Sequence, residues 1–351
     1  MESQPGEGVV SAAEIIFERV GNLGRIILNR PKALNALTLD QVHAMHPQLD
    51  VWANDDSVGA VIIEGAGEKA FCAGGDIRAL YEACKAGQME YVASFYRDEY
   101  RLNRKIKTYG KPYIALMDGI VMGGGVGVSV HGRYRVATER TLFAMPETGI
   151  GFFPDVGGAY FLPRCPGKIG LYLGLTGARL KAADCLHAGI ATHYVDSARL
   201  GELRAALAQA DDVKAVLDEF HRDPGPAPLA AHGAVIDRCF GADSFDGVLA
   251  ALAAEGEGFA ADTLAAIQAK SPTAGKVAFM QINRGGALDF DACMGMEFRL
   301  SQVYAPAADF IEGIRAVIID KDGKPVWTEA ASDGAVVQAF ATVPACGDLT
   351  F

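Results

Sequence analysis

At 351 residues, with 43 acidic side chains against 32 basic ones and a net charge of −11, the chain has room for one large or two modest domains and the wrong sign for a nucleic-acid surface. Half of its residues are hydrophobic and 21% are charged, enough apolar surface to exclude intrinsic disorder. No stretch has the length and apolar density of a membrane span.

The polar start, Met1 to Gly8, lacks a basic region followed by an apolar one, so no secretory signal is expected. Ala13 to Leu28 holds two apolar runs around Gly21-Asn22-Leu23-Gly24 and reads as a hairpin. Thr38 is the expected N-cap of a helix carrying Leu39, Val42, Met45, Leu49 and Trp52 at helical spacing. Val58 to Glu64 reads as a strand. Met89 to Ile106 reads as a helix, with Val92, Phe95, Tyr96, Leu102 and Ile106 on one face. Pro112 to Met117 is another strand, followed by Gly123-Gly124-Gly125 and Val126 to Val130. Successive strand–strand–helix units argue for a layered α/β architecture.

Past about Asp196 the text becomes alanine-rich, and Pro224-Gly225-Pro226-Ala227-Pro228 interrupts it. The expected division is an α/β core over 1–195 and a mainly helical region over 196–351, read as scaffold and oligomer contact. Ile318 to Trp327 reads as a strand-like tail around Asp322-Gly323. Seven scattered cysteines without a CxxC pair suit reduced thiols in a cytosolic or matrix-like compartment, and the location is read as cytoplasmic.

Several motifs are missing. No GxGxxG stands at a strand–helix junction, and no GxxxxGK[ST] occurs, so dinucleotide and P-loop sites are unsupported. Seven histidines without HExxH or HxH spacing give no support for a metal. Gly127-Val128-Ser129-Val130-His131 nearly matches the nucleophile elbow, but His131 stands where the sharp turn needs glycine. Ser129 therefore reads as a small residue in a packed helix.

Two glycine-rich segments carry more. Phe71 to Ile77 and Gly119 to Gly125 each follow an apolar strand and precede a helix, where backbone N–H groups point outward and favour negative charge. Two such donors aimed at one point make an oxyanion hole. In Met145 to Gly158, Glu147 and Asp155 stand in a run otherwise dominated by apolar, glycine and proline residues. Desolvation there raises a carboxyl pKa toward the range useful for acid–base work.

LNRPKALNAL (Leu28 to Leu37), AFCAGGDI (Ala70 to Ile77), GIVMGGGVGV (Gly119 to Val128) and the Met145 to Gly158 segment together resemble the crotonase (enoyl-CoA hydratase/isomerase) superfamily. Phe95 to Tyr100, Pro154 to Gly157, Asp309 to Ala316 and Asp320 to Gly323 resemble a branch that hydrolyses short hydroxyacyl-CoA thioesters. The resemblance implies a spiral of ββα units with a C-terminal helical region, a trimer-based homo-oligomer, an acyl-CoA substrate, and no cofactor beyond the CoA that the substrate carries. It implies an oxyanion hole from the N–H groups of Ala73 and Gly124, and an acyl pocket lined by Glu99, Gly124, Glu147 and Asp155. Gly75 and Asp76 join Glu99 as substrate-binding candidates, and Lys32 and Arg78 are candidates for the CoA phosphates.

Hydratases of this superfamily hold water between two glutamates. Here the first of those positions is Gly127, and Asp155 stands where hydratases usually carry a small residue. The expected activity is thioester hydrolysis, with Glu147 as nucleophile or general base. Asp155 is expected to orient a substrate hydroxyl or to assist proton transfer to the leaving thiolate. A hydratase or isomerase on the same fold is the alternative. A silent scaffold or RNA-binding module is opposed by the charge and by the retained acids.

Overall fold

Strand β1 (Ile15–Val20) turns through Gly21 and Asn22 into β2 (Leu23–Leu28), with Ile15 opposite Leu28 and Val20 opposite Leu23. Gly21 takes φ +60°, and a Cβ there would strike the carbonyl of Ala208, so only glycine lets the turn dock against that helix end. The computed structural model describes residues 13–351, and the Met1 to Gly8 stretch lies outside them.

From β2 onward the main sheet is parallel. It runs β1-β2-β3-β5-β7-β9 through β3 (Ala60–Gly65), β5 (Tyr113–Met117), β7 (Tyr134–Ala137) and β9 (His193–Tyr194). The intervening strands β4 (Ala70–Cys72), β6 (Ile120–Met122) and β8 (Leu142–Ala144) form a second, three-stranded parallel sheet. The pairs β3/β4, β5/β6 and β7/β8 each contribute one strand to each sheet and then leave for a helix or turn, which is the expected spiral of ββα units. Because β4, β6 and β8 lie side by side and parallel, the segments after them emerge at one edge. These are Gly74 to Asp76, Gly123 to Gly124, and Pro146 to Glu147.

Thr38 caps α1 (Leu39–Ala53) through a capping box closed by Gln41. Asp76 caps α2 (Ile77–Lys85). The long helix α3 (Met89–Lys107) buries Phe95, Tyr96, Tyr100 and Leu102 as its periodicity requires, but also Glu99 and Asn103 on the same face. The short α4 (Gly124–Gly127) is buried throughout.

Two cores flank the main sheet. Helices Leu200–Leu207 and Val213–Phe220 cover one face, where Leu203, Leu207 and Leu217 meet Ile62, Ile114 and Leu116. On the other face the second sheet and the later helices share one larger core, in which Phe153 and Leu162 join Ile282, Phe298 and Phe310. Full burial of each such side chain contributes about 1.5–3 kcal/mol.

The strand-like tail is not a strand. Arg315–Ile319 forms a π-helical turn, and 320–332 has no regular structure. The Arg315 guanidinium gathers Glu312, Asp320 and Asp322 and donates to the carbonyl of Lys324, so the chain curls round one cation instead of extending.

Candidate active site

The three segments after β4, β6 and β8 wall a cavity of about 340 Å³. Its floor is glycine. A Cβ at Gly124 would lie 2.7 Å from Glu99 Oε1 and 3.0 Å from the backbone N of Gly75, so the two backbones touch only because neither carries a side chain. Gly124 opens α4, where an N–H has no intrahelical acceptor. Neither it nor the N–H of Gly75 has a hydrogen-bond partner among the described residues. Two free donors thus sit together at the cavity floor.

The expected pair of donors needs correction. The N–H of Ala73 is spent on the carbonyl of Leu34 at 3.0 Å, because this stretch runs alongside the turn after β2. The free donors belong to Gly75 and Gly124.

Three carboxyl groups converge on this floor, all buried. Glu147 opens a 3-10 turn (Glu147–Ile150) after β8, and its Oε1 lies 3.6 Å from where a Cβ on Gly123 would be. Its Oε2 has no hydrogen-bond partner. Burial, reinforced by the charge of Asp155, holds the Glu147 pKa well above the ordinary glutamate value, while Lys270 pulls it down. Asp155 accepts a hydrogen bond from the Tyr100 hydroxyl at 2.9 Å. Burial pushes its pKa up to about 7 against that bond. Glu99 leaves Oε1 unpartnered and is held well above the usual range, first by burial and then by Asp155.

One wall of the cavity is aromatic. Tyr96 stacks on Phe152 at 5.6 Å between ring centroids, and Phe152 meets Phe310 at 5.0 Å. An apolar wall of this kind lowers the local dielectric and strengthens charge interactions beside it.

Asp76 does not face the cavity. It N-caps α2 and pairs with Arg30 at 3.0 Å, as a carboxylate at a helix start should. Lys32 is exposed on a 3-10 turn (Pro31–Ala33), and Arg78 donates to the carbonyl of Ile318 at 3.0 Å; neither lines the cavity. Among the described residues the cation that does is Lys270, whose Nζ lies 3.3 Å from where a Cβ on Gly149 would stand. Burial lowers its pKa, and Glu147 opposes that. Lys270 ends an alanine-rich helical stretch, where nothing local marks a site residue. Tyr100 could have been suspected from its place beside Glu99.

Gly127 is closed to any side chain, since a Cβ would lie 2.7 Å from Asn103 Nδ2 and 2.8 Å from the Cβ of Val156. Ser129 is fully buried in the turn after α4, not in a helix as expected, and it donates to the carbonyls of Gly125 and Val126. Larger cavities of about 500 and 640 Å³ open beside Arg104 and Arg25, but those cations are paired with Asp291 and Glu64.

Residues 23–341 match the model of the enoyl-CoA hydratase/isomerase family. The chain is 50% identical over 334 residues to the mitochondrial 3-hydroxyisobutyryl-CoA hydrolase of Danio rerio, covering 92% of this chain and 87% of that protein. It is 47% identical to the Homo sapiens protein of the same name, covering 91% and 85%. A crystal structure described as a carnitinyl-CoA dehydratase from Mycobacterium thermoresistibile superposes with a TM-score of 0.92 at 41% identity, covering 97% of this chain and 99% of that one. The hydrolases' names point to the mitochondrion and correct the cytoplasmic location. Free thiols suit a reducing matrix as well as a cytosol, so cysteine usage never separated the two.

Proposed function

Because the chain belongs to the enoyl-CoA hydratase/isomerase family, the crotonase superfamily, we propose that its cavity hydrolyses 3-hydroxyisobutyryl-CoA to 3-hydroxyisobutyrate and CoA. This is a thioester hydrolase activity consistent with valine catabolism. The observation that carries it is the pairing of Glu147 and Asp155 over two free backbone donors, at a site where Gly127 leaves no room for a hydratase's first glutamate.

The thioester oxygen accepts hydrogen bonds from the N–H groups of Gly75 and Gly124. These strengthen as the carbonyl carbon becomes tetrahedral and its oxygen takes up charge. Glu147 reacts as its carboxylate, so the proton that burial favours must first leave, and it then acts in one of two ways. As a nucleophile its carboxylate adds to the thioester carbon, the C–S bond breaks and CoA leaves as a thiolate that takes up a proton. Water then opens the mixed anhydride to the free acid and restores the Glu147 carboxylate. As a general base it takes the proton of the attacking water. In both routes the new negative charge lands on the same two donors. Asp155, steadied by Tyr100, accepts a hydrogen bond from the substrate hydroxyl, and Glu99 contributes a further hydrogen-bonding group. The reaction needs water and these residues, with CoA as part of the substrate. A trimer-based assembly is the expectation that accompanies the family, and sedimentation velocity tests it.

The name of the dehydratase relative favours a second reading, addition or removal of water across a C=C bond. Gly127 opposes it. Thiol release across a panel of acyl-CoAs, beside crotonyl-CoA hydration, decides between them. Glu147→Gln should lower kcat by at least about a hundredfold and leave CoA-ester binding intact. A variant that keeps most of its kcat removes Glu147 from the mechanism. The parent should prefer 3-hydroxyisobutyryl-CoA over isobutyryl-CoA by about tenfold or more, the ratio that one hydrogen bond of roughly 1.4 kcal/mol supplies.

A further inference from the structure

Asp155 stands on a turn that an isolated chain would not hold. Val156 follows it at φ +48°, the left-handed region that a β-branched residue avoids, and Gly157 continues at φ +88°. Something outside the turn must fix it.

The fixing groups come from far along the chain. Glu297, fully buried on helix Phe290–Tyr304, accepts from the N–H of Gly157 through Oε2 and from the N–H of Ala159 through Oε1, both at 2.7 Å. Gln281 donates to Glu297 Oε1 at 3.3 Å and to the carbonyl of Pro154 at 2.6 Å. His131 Nε2 lies 2.7 Å from the carbonyl of Val156. A carbonyl only accepts, so Nε2 carries the proton. Burial lowers the His131 pKa to about 3, so the ring is neutral at pH 7. Backbone groups on both sides of Asp155 are thereby held by side chains that never reach the cavity.

We infer that Glu297 is the positioning residue for Asp155, setting the hydroxyacyl selectivity of the site through the Gly157 and Ala159 amides. The inference rests on the proposed role of Asp155. A buried acid with both oxygens committed to two amides of one turn fixes where the turn's first side chain points. Glutamine in its place would aim an N–H donor at one of those amides, and the turn would be free to relax from its left-handed geometry.

The test is a double-mutant cycle of Glu297→Gln and Asp155→Ala, with kcat/KM measured on 3-hydroxyisobutyryl-CoA and isobutyryl-CoA. Glu297→Gln should lose about tenfold or more on the hydroxylated substrate and less than about threefold on the plain one. In the Asp155→Ala background it should cost no more than about twofold further, because coupled residues are non-additive. Equal losses on both substrates, or losses that simply multiply, would overturn the inference. If Glu297→Gln does not fold, Gln281→Leu, which frees the Pro154 carbonyl, is put through the same cycle. A reduced preference coupled to Asp155 supports the clamp, and an unchanged preference overturns it. A parent without the preference, or an Asp155→Ala variant that keeps it, overturns the role of Asp155 and this inference with it. A preference that depends on Asp155 but not on Glu297 or Gln281 overturns the inference alone.

Discussion

At the cavity floor the Gly75 and Gly124 backbones approach each other so closely that a side chain on Gly124 would have no room, and that is what makes the floor useful. The N–H groups of Gly75 and Gly124 meet because nothing intervenes, and Glu99 Oε1 lies against the same spot. Gly124→Ala would put a methyl group 2.7 Å from that oxygen and 3.0 Å from the Gly75 nitrogen, in the space the thioester oxygen needs. Gly124 has no positive φ, so the backbone itself tolerates alanine and the penalty is local. The N–H donor remains, so the loss comes from the methyl group standing where the oxygen must sit. The kcat should fall about tenfold or more, and the melting temperature should drop by a few degrees because Glu99 or the Gly75 backbone must shift. Thiol-release kinetics beside thermal unfolding check it, and a variant with parental kcat would remove Gly124 from the hole.

At the scale of elements, α4 separates hydrolysis from hydration. It is one buried turn, and Gly127 at its end is pressed against Asn103 and Val156. Gly127→Glu should destabilise the protein by several kcal/mol, because the carboxylate has neither room nor solvent. It should gain no crotonyl-CoA hydration, measured as loss of the conjugated double bond. Hydration appearing in a folded variant would show that this turn can open. The hairpin, the Thr38 cap, α3 and strands β3 and β5 are legible in the sequence because periodicity and caps are local signals, whereas the two- to four-residue strands β4, β6, β7, β8 and β9 are too short to show a period. The buried acids Glu147 and Asp155 are legible because their neighbours in sequence are apolar. The choice between Ala73 and Gly75 is not, since it turns on which N–H meets the carbonyl of Leu34, a contact made only when the chain folds back. Lys270 and Glu297 lie in the part that reads as scaffold, and no local pattern says that their heads reach the site or its support. Asp76 and Arg78, near the motif in sequence, serve α2 and the carbonyl of Ile318 instead.

For the whole molecule the notable quantity is the load of buried acid. Glu99, Glu147, Asp155 and Glu297 are all buried with pKa values raised first by desolvation, Asp155 to about 7 and Glu297 to about 8. Raised carboxyl pKa values mean that the folded state holds protons the unfolded chain has released. Stability from these groups is therefore full below the ordinary carboxyl range and is lost as pH rises through the raised values. Each unit of pH costs about 1.36 kcal/mol per proton so held. His131 acts in the opposite direction, because its lowered pKa penalises folding as pH falls below the ordinary histidine value. The parent's own profile mixes the two effects, but a single acid can be isolated by difference. Glu99→Gln keeps the shape and removes one titration. It should unfold at a temperature a few degrees above the parent at pH 8 and close to the parent at pH 5. Thermal or urea unfolding at both values measures this directly. A difference that is the same at the two pH values, or larger at pH 5, would mean that Glu99 does not hold its proton in the folded state.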